Sequence, residues 1–296
     1  MDAHTALFVL SNYTAAPRLN YLLHSSPLYL DPAPLESIDQ LVRGTLSECT
    51  NVHIEEDSWK QASLPVRYGG LGVRNTESLA LPSYVASTGK SSGLDNKILG
   101  HDSSRLLPMH DIAVEHLKTK YPDLEVPTGD SASTQRGWDE AVCKIEYSKL
   151  LHGSKDQIAL ARLHAAAAPH TGAWLQALPS PALGLHLNED AVRISVALRI
   201  GADVTQPHQC RCGKAVHSNG HHGLSCKYSA GRLPRHSHLN DIVRRSLLTA
   251  GIQSWMEPLG LDRGDGKRPD CSSFFVWQES MLGRYMQRHL QQISSE

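Results

Sequence analysis

Cys210-Arg211-Cys212-Gly213, followed shortly by Gly220-His221-His222-Gly223-Leu224-Ser225-Cys226, is the stretch on which the reading of this chain turns. Three of the six cysteines fall within its seventeen residues, beside His217, His221 and His222. Thiolate and imidazole are the donors that suit tetrahedral zinc. The spacing nominates Cys210, Cys212, His222 and Cys226 as ligands to one structural zinc, with His217 and His221 as spare candidates. Three residues separate His222 from Cys226, as in the short second half of a zinc knuckle. The first half departs from the usual two to four intervening residues, because only Arg211 stands between Cys210 and Cys212. Gly213 lets the backbone turn so that its amides can face the sulfurs. So small a loop has little core, and metal binding would supply most of its folding energy, on the order of 10 kcal/mol. The competing reading is a free-thiol loop in which histidine only caps.

Outward from this stretch the charge is uneven. Residues 210–245 carry seven basic side chains (Arg211, Lys214, Lys227, Arg232, Arg235, Arg244 and Arg245) against Asp241 alone, net +6. Residues 1–100 carry seven basic against ten acidic, net −3. The near-neutral total of −1 therefore hides a basic segment, either a solvated face or a phosphate-binding one. An amphipathic helix is expected over 236–250, with Leu239, Ile242, Val243, Leu247 and Ala250 on one face and Gly251 beyond. Ser254–Glu257 and Ser273–Trp277 read as strands. Upstream, Asn188 is a good N-cap for a helix through Val192, Val196 and Ile200 that Gly201 can close. Ser154–Gln157 reads as a capping box before a helix at 158–167, and another helix is expected over 138–151.

The first third reads as helices and turns. His4–Leu10 is a short apolar run, Pro17 can open a helix through Leu19, Leu22 and Leu23, and Leu35, Ile38, Leu41, Val42 and Leu46 keep helical spacing. Leu64–Arg74, with Gly69, Gly70 and Gly72, is expected as a tightly packed loop before a helix from about Asn75. Residues 88–134, rich in Ser, Asp, Gly and Pro, read as a linker with one short helix near 111–120. A length of 296 residues with 40% hydrophobic and 20% charged residues excludes a wholly disordered chain and a coiled coil. No apolar run approaches the roughly 18 residues of a membrane helix, and the first residues lack the pattern of a secretory signal. Clustered thiols suit a reducing compartment, so an intracellular location is expected, with the nucleus as one candidate.

The order of motifs from Cys210 to Asp270 resembles the C-terminal region of non-LTR retrotransposon polyproteins, which join a reverse transcriptase, a zinc knuckle and a restriction-enzyme-like endonuclease. After the knuckle come Arg232-x-x-Arg235-His236-x-x-Leu239-Asn240-Asp241, then Glu257-Pro258-x-Gly260-Leu261, then Asp265-Gly266-Lys267-Arg268-Pro269-Asp270. Nearer the start, Pro17-Arg18-Leu19-Asn20-Tyr21-Leu22-Leu23 and Leu64-Pro65-x-x-x-Gly69-Gly70-Leu71-Gly72 are similar to the helical thumb that follows the polymerase palm. The resemblance implies a mainly helical α+β chain. Its parts would be a thumb remnant at 1–87, the linker at 88–134, a helical region at 135–204, a zinc-knuckle segment at 205–232, and a truncated α/β endonuclease domain at 233–296. The chain holds no Tyr-x-Asp-Asp tetrapeptide, the palm hairpin that binds the polymerase metals, so polymerisation is not expected of it.

In such endonucleases carboxylates on adjacent strands hold a divalent metal that activates water. The resemblance makes Asp270 the remnant metal-binding acid and Glu257 a weaker acid candidate. Lys267 and Arg268 would meet phosphate, while Arg235, Arg244 and Arg245 would contact DNA or RNA from the basic helix. The family's Trp-Asp-x-Thr segment, expected about fifteen residues after Pro-Asp, is replaced by Gly283-Arg284-Tyr285-Met286. Codons exist for Cys271 onward whose frame, displaced by one base, reads Cys-Trp-Asp-Ala-Thr, so the tail from 271 is read as a frame slip. The leading expectation is an inactive fragment that keeps zinc and nucleic-acid binding. The alternatives are an active Mg²⁺-dependent endonuclease and a host interaction protein without nucleic-acid contact. No membrane partner is expected, and the oligomeric state is open.

Overall fold

The structure, a computed structural model, describes residues 1–99, 107–154, 156–229, 232–256, 258 and 271–273. The described chain is mainly helical, with only short strands. It divides into a first unit of Met1–Gln209 with Ala215–His221 and a second of Cys210–Lys214 with His222–Glu296. Among the described residues no helix is long and apolar enough to cross a membrane.

The first unit opens with α1 (Ala3–Tyr13), α2 (Ala15–Ser25), α3 (Ala33–Thr50) and α4 (Glu56–Ala62). Asp2 caps α1 by accepting from the Thr5 amide at 2.9 Å. α5 (Thr76–Leu99) is capped from a distance: the buried Asp39 carboxylate of α3 accepts from the Thr76 and Glu77 amides at 2.8 and 3.0 Å. These amides have no partner inside their own helix, so Asp39 and the local cap Asn75, which accepts from the Ser78 amide at 2.7 Å, together fix where α5 begins. Next come α6 (Leu107–Lys120), α7 (Gln135–Gly153), α8 (Gln157–Ala167), α9 (Ala173–Gln176) and α10 (Glu189–Ile200). Leu7, Leu46, Trp59, Val73, Val192 and Ile200 belong to one core that joins the start of the chain to α10. Val85, Ala113, Leu117, Tyr121, Trp138 and Val142 belong to a second, built by α5, α6 and α7.

Residues 88–134, expected as a linker with one short helix near 111–120, carry the last turns of α5 and, where that short helix was expected, the longer α6. Ala113, Leu117 and Tyr121 recur every four residues and bury one stripe against Trp138 and Val85. The helix after Ser154 is capped by Asp156, which accepts from the Ile158 amide at 3.1 Å, and not by the expected Ser154 box. The 64–74 loop packs tightly, as its glycines imply. A Cβ on Gly70 would lie 1.9 Å from the Leu64 carbonyl oxygen, so only glycine fits. The same loop is held by the buried Arg199 guanidinium, which donates to the Gly70 and Val66 carbonyls at 3.0 and 2.8 Å. Gln61 bridges the Gly69 and Arg199 carbonyls at 3.0 and 2.9 Å.

The two strands β1 (His208–Gln209) and β2 (Ala215–Val216) pair antiparallel, His208 opposite Val216. The second unit follows with α11 (His221–Ser225), α12 (Arg232–Thr249), β3 (Ser254–Met256) and β4 (Cys271–Ser273). β3 and β4 pair antiparallel, Ser254 opposite Ser273 and Met256 opposite Cys271. β3 matches the first expected strand. β4 lies earlier than the expected 273–277, whose remainder falls outside the described residues, as does most of the expected endonuclease segment. On the face of α12 expected to be apolar, Val243 and Leu247 are half-buried, while Leu239 and Ile242 are 50% and 53% exposed.

Candidate metal centre

The ligand loop is built by local hydrogen bonds. Beyond β1, the Cys210 amide donates to the Lys214 carbonyl at 2.9 Å, and the Gly213 amide donates back to the Cys210 carbonyl at 2.8 Å. The second bond closes a turn around Arg211 and Cys212, and Gly213 completes it with φ +84°, a region that disfavours side chains. The turn curls Cys210 and Cys212 toward one side with a single residue between them. On the other half, the Cys226 amide donates to the His222 carbonyl at 2.9 Å. That bond sets Cys226, just past the end of α11, one helical turn beyond His222.

The two halves converge. One ligand atom from each of Cys210, Cys212, His222 and Cys226 lies within 4.8 Å of all the others. The Cys210 and Cys226 sulfurs are 3.6 Å apart, and the Cys212 sulfur is 3.2 Å from His222 Nε2. Ligand bonds of ~2.3 Å to sulfur and ~2.0 Å to nitrogen give tetrahedral edges of about 3.8 Å between sulfurs and about 3.5 Å from sulfur to nitrogen. The observed separations sit close to those edges, slightly contracted. They are far from the ~2.0 Å of a disulfide. Cys226 is buried and the other three ligands are half-buried, so the donors can exclude bulk water without a large core. A Cys₃His set of this shape can hold a metal such as zinc. The one-residue first spacing, unusual on paper, is compatible with convergence because the Gly213 turn supplies the curvature. His217 and His221 do not join the set.

Around the ligands, Arg211, Lys214 and Lys227 are exposed. Lys227 Nζ stands 5.0 Å from the Tyr228 ring centre, and that ring is itself 62% exposed. On α12, Arg244 and Arg245 are both exposed but differ in engagement. Arg245 pairs with Asp241 one turn earlier at 2.8 Å, whereas no ion pair holds Arg244 among the described residues. The four-residue spacing of Asp241 and Arg245 is the signal that would have disclosed this pairing from sequence. Arg235 lies in the first turn of α12, and its side chain is outside the described residues. Glu257, Lys267, Arg268 and Asp270 also lie outside them.

One cavity of about 270 Å³ in the first unit is lined by Trp59, Arg74, Glu77, Lys120, Tyr121 and Cys143, among others. Its charges are already paired: Lys120 with Glu77, and Arg74 with Asp139. Burial pushes the Cys143 thiol up to about 12, so it is no nucleophile at neutral pH. Compared with models of known protein families and with curated proteins, the chain matches none.

Proposed function

We propose that this chain is a fragment derived from a retrotransposon reverse transcriptase/endonuclease, without catalytic activity as it stands, that holds a structural zinc and binds nucleic acid. The observation that carries the reading is the convergence of Cys210, Cys212, His222 and Cys226 within 4.8 Å, directly before a basic helix. The thiolates and the imidazole would hold the metal, and the metal would fold the loop. Arg211, Lys214 and Lys227 would then surround a site whose three thiolates exceed the charge of the ion, and would offer phosphate contacts. On α12, Arg245 is held by Asp241, while among the described residues no ion pair holds Arg244. Mg²⁺ would matter only to an active endonuclease, whose acids at Asp270 and Glu257 the resemblance supplies.

The test is binding of labelled duplex and single-stranded DNA and RNA across a salt series, beside metal analysis of the same protein. About one zinc per chain is expected, with affinity falling as salt rises. Replacing Arg244 should weaken binding and flatten the salt slope by about one phosphate's worth, ~0.9 for duplex DNA. Salt-independent or absent binding would favour a host interaction protein. Mg²⁺-dependent nicking of duplex DNA, lost on Asp270→Ala, would favour the active endonuclease.

A further inference from the structure

Cys210 and Cys226 meet in a way that Cys212 does not. Their sulfurs are 3.6 Å apart across a separation of sixteen residues, whereas the Cys212 sulfur is taken by His222 Nε2 at 3.2 Å. Cys210 is half-buried and open to a small oxidant, while Cys226 behind it is 6% exposed. We propose that the knuckle is also a peroxide-responsive switch, in which Cys210 and Cys226 join as a disulfide and release the metal. This rests on the zinc reading above.

The chemistry balances with hydrogen peroxide as oxidant. The Cys210 thiolate attacks one peroxide oxygen, the O–O bond breaks, and hydroxide leaves, giving a sulfenic acid on Cys210. The Cys226 thiolate then attacks that sulfur, the S–S bond forms, and a second hydroxide leaves. The two sulfurs give up two electrons to the peroxide, and two protons from the buffer acid turn the two hydroxides into water. The zinc ion is not oxidised or reduced, but it keeps only Cys212 and His222 and is lost. The sulfurs approach to bonding distance from near contact, so the Cys210 turn and α11 stay linked. A thiol reductant reverses the step and restores all four donors.

The sequence makes the test sharp, because trypsin separates the three thiols. Cys210 falls on Ile200–Arg211, Cys212 on Cys212–Lys214 and Cys226 on Ala215–Lys227. The full chain, with its zinc content measured first, is treated with hydrogen peroxide, zinc release is followed with a chromogenic chelator, and unreduced peptides are mapped by mass spectrometry. Release of the bound zinc together with a link between Ile200–Arg211 and Ala215–Lys227 is the expected result. Cys212→Ser should still form that link, and Cys226→Ser should not. A link through Cys212–Lys214 or the peptide carrying Cys271, or sulfinic acids with no link, would overturn the proposal. So would zinc that stays bound at peroxide levels that oxidise the thiols. Untreated protein that carries no zinc yet forms the same link would overturn the zinc reading and leave the thiol pair standing.

Discussion

His217 and His222 lie five residues apart, and only His222 brings a ring nitrogen to the thiols. His222→Ala should therefore weaken zinc by more than the roughly 10–100-fold typical of changes outside the ligand set, while His217→Ala should leave it unchanged. Competition with a chromogenic chelator measures both, and a larger loss in His217→Ala would show the ligand to be misassigned. His4 offers a second residue-scale test, in the first unit. Its Nδ1 accepts from the Leu187 amide at 3.0 Å, which requires a neutral ring, and burial holds its pKa below the ordinary value. His186, 5.9 Å away between ring centres, and Asp2 face the same spot. A histidine whose folded pKa is depressed binds its proton more readily in the unfolded chain. Its stabilisation is present above ~6.5 and is lost as pH falls toward the folded pKa. Denaturant midpoints measured between pH 7.5 and 5 should fall for the parent protein and fall less for His4→Gln. Equal slopes would remove His4 from the account.

Among elements, α10 is the one whose ends were fully legible. Asn188 accepts from the Ala191 amide at 2.8 Å, and Gly201 closes the helix in the left-handed region. Asn188→Ala should cost about 1 kcal/mol of stability, read from the shift in urea midpoint at unchanged slope. The 64–74 loop is the stricter case. Gly70→Ala must displace the Leu64 carbonyl, and with it the Arg199 clamp, so a loss of about 1–3 kcal/mol is expected. A neutral Gly70→Ala would mean that the loop relaxes freely. A helix from about Asn75 and a short one near 111–120 were both legible; their extent was not. α5 runs on to Leu99 and α6 begins at Leu107. The buried stripe they share and the Asp39 carboxylate that helps cap α5, thirty-seven residues before Thr76, are not visible in local composition.

At the scale of the molecule, the helical first unit has apolar cores of its own, while the metal ligands all belong to the second. Removing metal with a strong chelator should therefore expose Cys210, Cys212 and Cys226 to thiol reagents. Cys143, 1% exposed in the α5–α7 core, should stay protected, with helical circular dichroism nearly unchanged. Global loss of helix on chelation would show that the metal holds the first unit together as well. The sequence alone determined the four ligands, the α10 caps, the basic character of 210–245 and the glycine loop. Each is set by chemistry within a few residues: donor type, capping geometry, charge, and the absence of a Cβ. Only the tertiary structure decided that Asp39 helps cap α5, that Arg199 clamps the glycine loop, and that α5 and α6 extend through much of the described part of 88–134. Those outcomes depend on which groups a turn or a packed neighbour brings within about 3 Å for hydrogen bonds or 4 Å for apolar contact. Such distances are fixed by the fold of the whole chain and not by spacing along it.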